Sequence, residues 1–385
     1  MRKIAVICTL YGPHGGTGRV TTEIIERYAS DGNEVHIFCA DYDNKFAEKS
    51  LVSSITKLNI TNVGLLKQID ILRKASKVVK AQDYDIIYTT GDYHFNPDIV
   101  TIHTLKKQGR KTIEALEKRG AIGRTNSRIK NILRKIYCPL VYEIGEQFVY
   151  RKKKTLFICV SDGVKREFCS EFGHMADKVL SIPNAVDYNE YRYNAEKRRK
   201  IRKKLNINED RKVILFAGSD WATKRLDVAI GVIAKFALVE LVVAGHDNPL
   251  QYIEMAKMLK CQDRVHFVGF RNDIADFYSA ADYFLFTSVY ETFGLVALEA
   301  MAAGAIVISN RLNGVEDFIN NGKNGFLTED NTIESFSKIM QYILDNPQIE
   351  KMIREDAVDT AKSLNWESCY QEYKKIFDSY QRRGK

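Results

Sequence analysis

Short apolar runs alternate with amphipathic stretches along most of the chain. The first run, KIAVICT from Lys3, is rich in β-forming residues and gives way to a turn-forming loop from Tyr11 to Arg19. VTTEIIERYASDG then carries helical spacing with a glycine stop at Gly32, and EVHIFCA reads as a second strand, so the chain opens as a βαβ unit. YDIIYTT, ending near Gly91, and the run from Asp98 to His103 continue the series, and Leu156 to Val160 leads into a helix capped at Ser161 and Asp162. Composition then shifts to YNEYRYNAEKRRKIRKKLNINEDRK, charged and poor in large aliphatics, which places a linker, its lead-in helix and a domain boundary near residue 190. Beyond it the alternation resumes. VILFAG, VELVVAGH, the segment Arg264 to Arg271 and YFLFTS from Tyr283 read as strands separated by helical patterns, and Trp366 to Arg383 has helical spacing. The pattern predicts two doubly wound α/β halves.

Length agrees, since 385 residues exceed what one core usually supports. Hydrophobic content of 45% and charged content of 28% are those of an ordinary folded protein, and no apolar stretch approaches membrane-spanning length. The amino-terminal apolar run is short, lacks a small-x-small cleavage site and enters a glycine loop, so it reads as a first strand and not as a signal peptide. Seven cysteines without a C-x-x-C pair, several inside strand-like runs, argue for a reducing compartment and against structural zinc. A cytoplasmic protein is expected.

Charge changes the picture in one place. Between Lys106 and Lys154 fifteen Lys and Arg face four Glu, a net of +11 that exceeds the +9 of the whole chain. Aliphatic residues interleave with these charges, as in a basic amphipathic segment that docks on anionic lipid without spanning it. Few aromatics are available to stack on bases and no nucleic-acid module surrounds the stretch, so residues 106–154 are assigned to an anionic membrane surface rather than to nucleic acid. A positive face for an anionic acceptor is the overlapping alternative.

The densest chemistry lies between Ser288 and Leu327. A buried strand, YFLFTS, meets the helix pattern LVALEAMAAG at Gly294. A glycine at such a turn frees backbone N–H groups to face an anion, and the helix start adds partial positive charge. Glu291 lies on the loop and Glu299 between one and two turns into the helix, and carboxylates beside a phosphate site suit sugar hydroxyls. The residues therefore point to a ligand with both phosphate and polyol character.

This stretch resembles the E-x7-E signature of retaining glycosyltransferases of family 4 (group 1), with AAG-x-x-V-I-S and Asn321 to Leu327 in the same register. The resemblance implies a GT-B fold, two Rossmann-like domains facing a central cleft: an acceptor-side domain over 1–188, a nucleotide-sugar domain over 189–365, and a last helix, 366–385, returning to the first. It also implies the roles of particular residues. Gly15 and Gly16 match the glycine pair set against the donor's sugar and diphosphate, and His103 matches a histidine facing the donor sugar. Lys224 aligns with the lysine of G-R-(x)4-K-G, so Lys224 and Arg225 would take the diphosphate with the N–H groups around Phe293, Gly294 and Leu295. Phe270 and Arg271 would lie near the base, Glu299 would hold the ribose, and Glu291 would act with His103 at the reacting sugar.

The register departs from the family at three positions: Ala185 stands where glycine is usual in V-I-P-N-G-V-D, Ser219 replaces an arginine, and Arg225 replaces the glycine after the lysine. The wording is nearest to bacterial glucosyltransferases that extend the lipopolysaccharide core. The implied reaction moves a hexose, glucose foremost, from a UDP-sugar such as UDP-glucose to a lipid-linked or glycolipid acceptor at the inner face of the cytoplasmic membrane, with no metal or other cofactor. Three rivals stand beside it: a sugar-nucleotide or anionic-lipid binding protein without turnover, a sugar-nucleotide epimerase, and a phosphorylase, which would need a pyridoxal-phosphate lysine context that is not found. A dehydrogenase is disfavoured because the first loop lacks G-x-G-x-x-G spacing.

Overall fold

A computed structural model describes residues 1–61, 66–118 and 144–381. The chain divides into two compact units, Met1–Asn184 together with the segment from Trp366, and Ala185–Asn365. The first boundary falls four residues before the expected position at 188, inside the S-I-P-N-A-V-D run from Ser181.

Among the described residues the first unit holds seven parallel strands: β1 (Lys3–Tyr11), β2 (Glu34–Tyr42), β3 (Ser54–Lys57), β4 (Ile86–Thr89), β5 (Ile99–Ile102), β6 (Leu156–Cys159) and β7 (Val179–Ser181). Their order is β3-β2-β1-β4-β5-β6-β7, so the winding reverses between β1 and β4. β4 and β5 are buried throughout, as expected for central strands covered by helices on both faces. The helix Trp366–Ser379 belongs to this unit. It buries Tyr370, Tyr373 and Phe377, with the Phe377 ring 5.1 Å from Tyr28 and 5.2 Å from Tyr88 in edge-on contacts. Tyr370 donates to Asp31 Oδ2 at 2.6 Å. The helix stops at Ser379, short of the expected Arg383.

The second unit repeats the plan with six parallel strands: β8 (Lys212–Ala217), β9 (Val239–Ala244), β10 (Val265–Gly269), β11 (Tyr283–Phe286), β12 (Ile306–Asn310) and β13 (Phe326–Thr328). The order β10-β9-β8-β11-β12-β13 puts the reversal between β8 and β11. Helix Leu226–Ile233 is buried at every position but Asp227 and joins Leu241, Tyr283, Phe336 and Met340 in one core. The lead-in helix Ala195–Lys204 is anchored by Arg202, which is only 1% exposed. Its guanidinium donates to Asp282 Oδ2 at 2.7 Å and to the carbonyls of Ala280, Asn208 and Arg211. A charged stretch that reads as a linker is thus tied to the sheet, because one of its many cations is fully paired.

Three strands, β3, β7 and β13, have weak or no signal of their own in the apolar pattern. β3 is a half-exposed edge strand, and β7 and β13 are three residues long.

Of the basic stretch, residues 119–143 lie outside the described residues. Its first cation departs from the expected surface role. Lys106 is buried, with Nζ 2.6 Å from both carboxylate oxygens of Asp92, and its backbone N–H donates to Glu146 at 2.9 Å. Lys107 pairs with Glu171 and Arg110 with Glu114. A buried, paired lysine cannot face lipid, so Lys106 does not contribute to the expected cationic face.

Candidate active site

The reversal between β8 and β11 fixes where a ligand can bind in the second unit, because the two flanking loops leave the carboxyl ends of those strands and diverge there. The β8 loop is a tight turn in which Trp221 donates Nε1–H to Gly218 O at 2.8 Å and its backbone N–H to Asp247 at 2.8 Å. Lys224 N–H donates to Asp220 O at 3.0 Å, and Arg225 adopts a left-handed φ of 55° at the start of helix Leu226–Ile233. The β11 loop runs through Ser288 and Glu291 to Gly294, whose φ of 91° precedes helix Leu295–Ala302. A β-carbon on Gly294 would meet both Phe286 and Val315 at 3.0 Å, so glycine is required by conformation and by space.

These loops bring Lys224 and Glu291 into direct contact, Nζ against Oε1, with Ser288 Oγ 3.3 Å from the same oxygen. The cation assigned to a diphosphate and the carboxylate assigned to sugar hydroxyls therefore neutralise one another. Glu299 is 5% exposed and accepts from Tyr278 Oη at 2.8 Å. Sequence reading did not single out Tyr278; its signal was a tyrosine at helical spacing, indistinguishable from core.

The remaining candidates divide into side chains that face outward and side chains that are already engaged. Phe270, at the carboxyl end of β10, is 65% exposed and offers a ring to solvent. Arg271 is held by Asp273 through bonds of 2.7 and 2.6 Å and lies 5.1 Å from the Phe277 ring centre. Arg225 is likewise held by Asp227, at 2.8 to 3.1 Å. Phe293 is buried against Phe318, so only its backbone can meet a ligand, whereas Leu295 is the first helical residue.

In the first unit the candidates occupy the equivalent edge of its own sheet. Gly15, with a left-handed φ of 72°, precedes helix Gly16–Ser30, whose first N–H groups follow the end of β1. His14 beside it pairs with Asp43 at 2.7 Å. His103 directly follows β5. Its Nε2 is buried without a hydrogen-bond partner among the described residues, and burial pulls its pKa down to about 4, which keeps the imidazole neutral.

Comparison with known proteins accounts for both halves. A model described as glycosyltransferase family 4 matches residues 14–190, and one described as glycosyl transferases group 1 matches 197–360. An uncharacterized glycosyltransferase of Methanocaldococcus jannaschii is 30% identical over 229 residues, 57% of this chain and 59% of that protein. The lipopolysaccharide glucosyltransferase WaaG of Escherichia coli is 25% identical over 238 residues, 59% of this chain and 60% of its own length. The chain thus matches about three fifths of the length of these relatives. In three dimensions the likeness is wider. The crystal structure of WaaG aligns with a TM-score of 0.80 at 19% identity over 98% of this chain and 100% of that one. Anabaena HepE in complex with UDP-glucose aligns at 0.75 and 19% identity over 98% and 100%. The chain belongs to the family 4, group 1 glycosyltransferases, and its two Rossmann-like sheets are those of the GT-B fold.

Proposed function

We propose that this chain moves a hexose, glucose foremost, from a UDP-sugar to a lipid-linked or lipopolysaccharide-type acceptor at the cytoplasmic face of the membrane, with retention at the anomeric carbon. The observation that carries this reading is the contact between Lys224 and Glu291 beside the helix start at Gly294, on the strand-order reversal of the second sheet. A cation, a carboxylate and a free helix terminus meet there, as a sugar diphosphate requires.

On this reading the arriving diphosphate takes Lys224 away from Glu291, and the released carboxylate accepts from hydroxyls of the sugar. The N–H groups after Gly294 meet the phosphate oxygens, Glu299 holds the ribose, and the exposed ring of Phe270 lies against the base. When the bond from the anomeric carbon to the phosphate oxygen breaks, the charge left on the nucleotide develops beside fixed dipoles and a cation that donor binding has already set in place. That electrostatic role replaces a metal. The acceptor hydroxyl attacks on the face from which the nucleotide leaves, its proton passing to the departing phosphate oxygen, and no protein nucleophile is required. UDP-glucose as donor is supported by the complex in which HepE was solved, and a lipopolysaccharide-type acceptor by the name of WaaG. A peripheral position on the membrane is supported by the basic stretch within residues 106–154.

Incubation with UDP-, GDP- and ADP-sugars, with and without membrane lipid extract, tests the proposal by nucleotide release. Release of UDP that rises with extract is expected. Binding of a donor without release from any of them would leave a sugar-nucleotide binding protein and overturn the transferase reading.

A further inference from the structure

Both loops of the candidate site are fastened to each other by groups outside the predicted constellation. Thr287, the first residue after β11, is fully buried, and its one hydroxyl hydrogen is shared between the carbonyls of Lys224 at 2.7 Å and Arg225 at 3.0 Å. Two residues on, Val289 N–H donates to Thr223 O at 3.1 Å. From the other side Asn331, three residues beyond β13, donates Nδ2–H to the carbonyls of Thr287 at 2.5 Å and Ser288 at 3.1 Å. Asn331 thus fixes the backbone from which Thr287 reaches the β8 loop, and the same backbone continues to Glu291.

From this geometry we infer that Thr287 and Asn331 form a positioning clip that sets the spacing of Lys224 from Glu291. The inference rests on the donor reading given above. Two physical arguments support it. Arg225 holds a left-handed backbone, which is unfavourable for a residue with a β-carbon, so the turn that presents Lys224 needs restraint from outside. Trp221 restrains its beginning through Gly218 and Asp247, and Thr287 restrains its end. Asn331 also has only one workable amide orientation, because both neighbours are carbonyl oxygens and only its NH2 can donate to them. Its Oδ1 is buried without a partner among the described residues, so the amide accepts an unsatisfied oxygen to keep that orientation. Neither residue is placed to touch the donor; both act through Lys224 and Glu291.

The test compares wild type with Thr287→Val, Thr287→Ser and Asn331→Asp in two readouts. Amide hydrogen exchange of 222–226 and 287–291 reports the clip without reference to activity. Valine keeps the shape and removes the donor, so protection in both segments should fall while the melting temperature changes little; serine should restore it. In kinetics with a UDP-sugar, valine should lower kcat/KM roughly tenfold and serine should stay within about twofold, with kcat falling along with donor affinity because two loops lose their mutual alignment. Asn331→Asp, which sets a carboxylate against two carbonyls, should lose more. Unchanged exchange in Thr287→Val refutes the clip. Lost protection with unchanged kinetics refutes the positioning role. A wild type silent toward every donor overturns the donor reading and the positioning role together, while exchange still decides whether the clip exists.

Discussion

Tyr278 Oη lies 2.8 Å from Glu299 Oε2, with both side chains buried. The tyrosine hydroxyl can donate only one hydrogen, and spending it on this carboxylate sets the rotamer of the acid assigned to the ribose. Replacing Tyr278 by Phe removes that bond with little change in packing. A hydrogen bond to a charged group contributes about 1.5–3 kcal/mol, so donor KM is expected to rise roughly tenfold or more with a smaller change in kcat. Steady-state kinetics beside a melting curve checks this, and an unchanged KM would show that Glu299 is held by other means.

The pairing of Lys224 with Glu291 gives the two residues separable phenotypes. Glu291→Ala should lower kcat by about two to three orders of magnitude, in the range seen when one electrostatic contact of a transition state is removed. UDP binding should survive or tighten, because Lys224 no longer has to leave a partner. Lys224→Ala should instead weaken UDP itself. Equal losses of UDP affinity in both variants would contradict the exchange of partners.

How far the sequence carried the argument depended on the kind of interaction. Strands β8, β9 and β11 were legible because parallel strands covered on both faces read as largely apolar runs, and Gly294 because a glycine between such a run and a helix pattern marks an anion-facing turn. Thr287, Asn331 and Tyr278 were not legible. Their roles come from contacts 21 to 63 residues apart in the chain, and a threonine at a strand end or a tyrosine on a helix has a bland structural reading by default. Lys106 misled for the opposite reason. Counted as one of many cations in a basic stretch, it is removed from the surface by Asp92, fourteen residues upstream.

His103 predicts a pH effect with a definite sign. Its folded pKa near 4 lies below the ordinary value of about 6.5, so between those limits the unfolded chain binds a proton that the folded chain does not. Stability should therefore fall as pH drops from about 6.5 toward 4, and His103→Gln should flatten that part of the profile. Chemical denaturation of both proteins at neutral pH and at mildly acidic pH measures it. Parallel profiles would contradict a buried neutral imidazole.

For the basic stretch, binding to vesicles containing anionic lipid is expected, fading as salt rises through physiological strength and absent with zwitterionic lipid alone. Lys106→Ala, which removes a buried partner of Asp92, should cost stability and leave vesicle binding nearly unchanged. Co-sedimentation with a melting curve separates the two, and salt-insensitive binding would remove the electrostatic account.

The most direct test of the donor site is calorimetric titration of UDP into wild type, Lys224→Ala and Glu299→Gln. One UDP per chain with wild type, and at least a tenfold weaker affinity in each variant, is the predicted result, since each removes a charged contact to the diphosphate or the ribose. Equal UDP affinity in all three proteins would place the nucleotide elsewhere and contradict the assignment of the β8 and β11 loops.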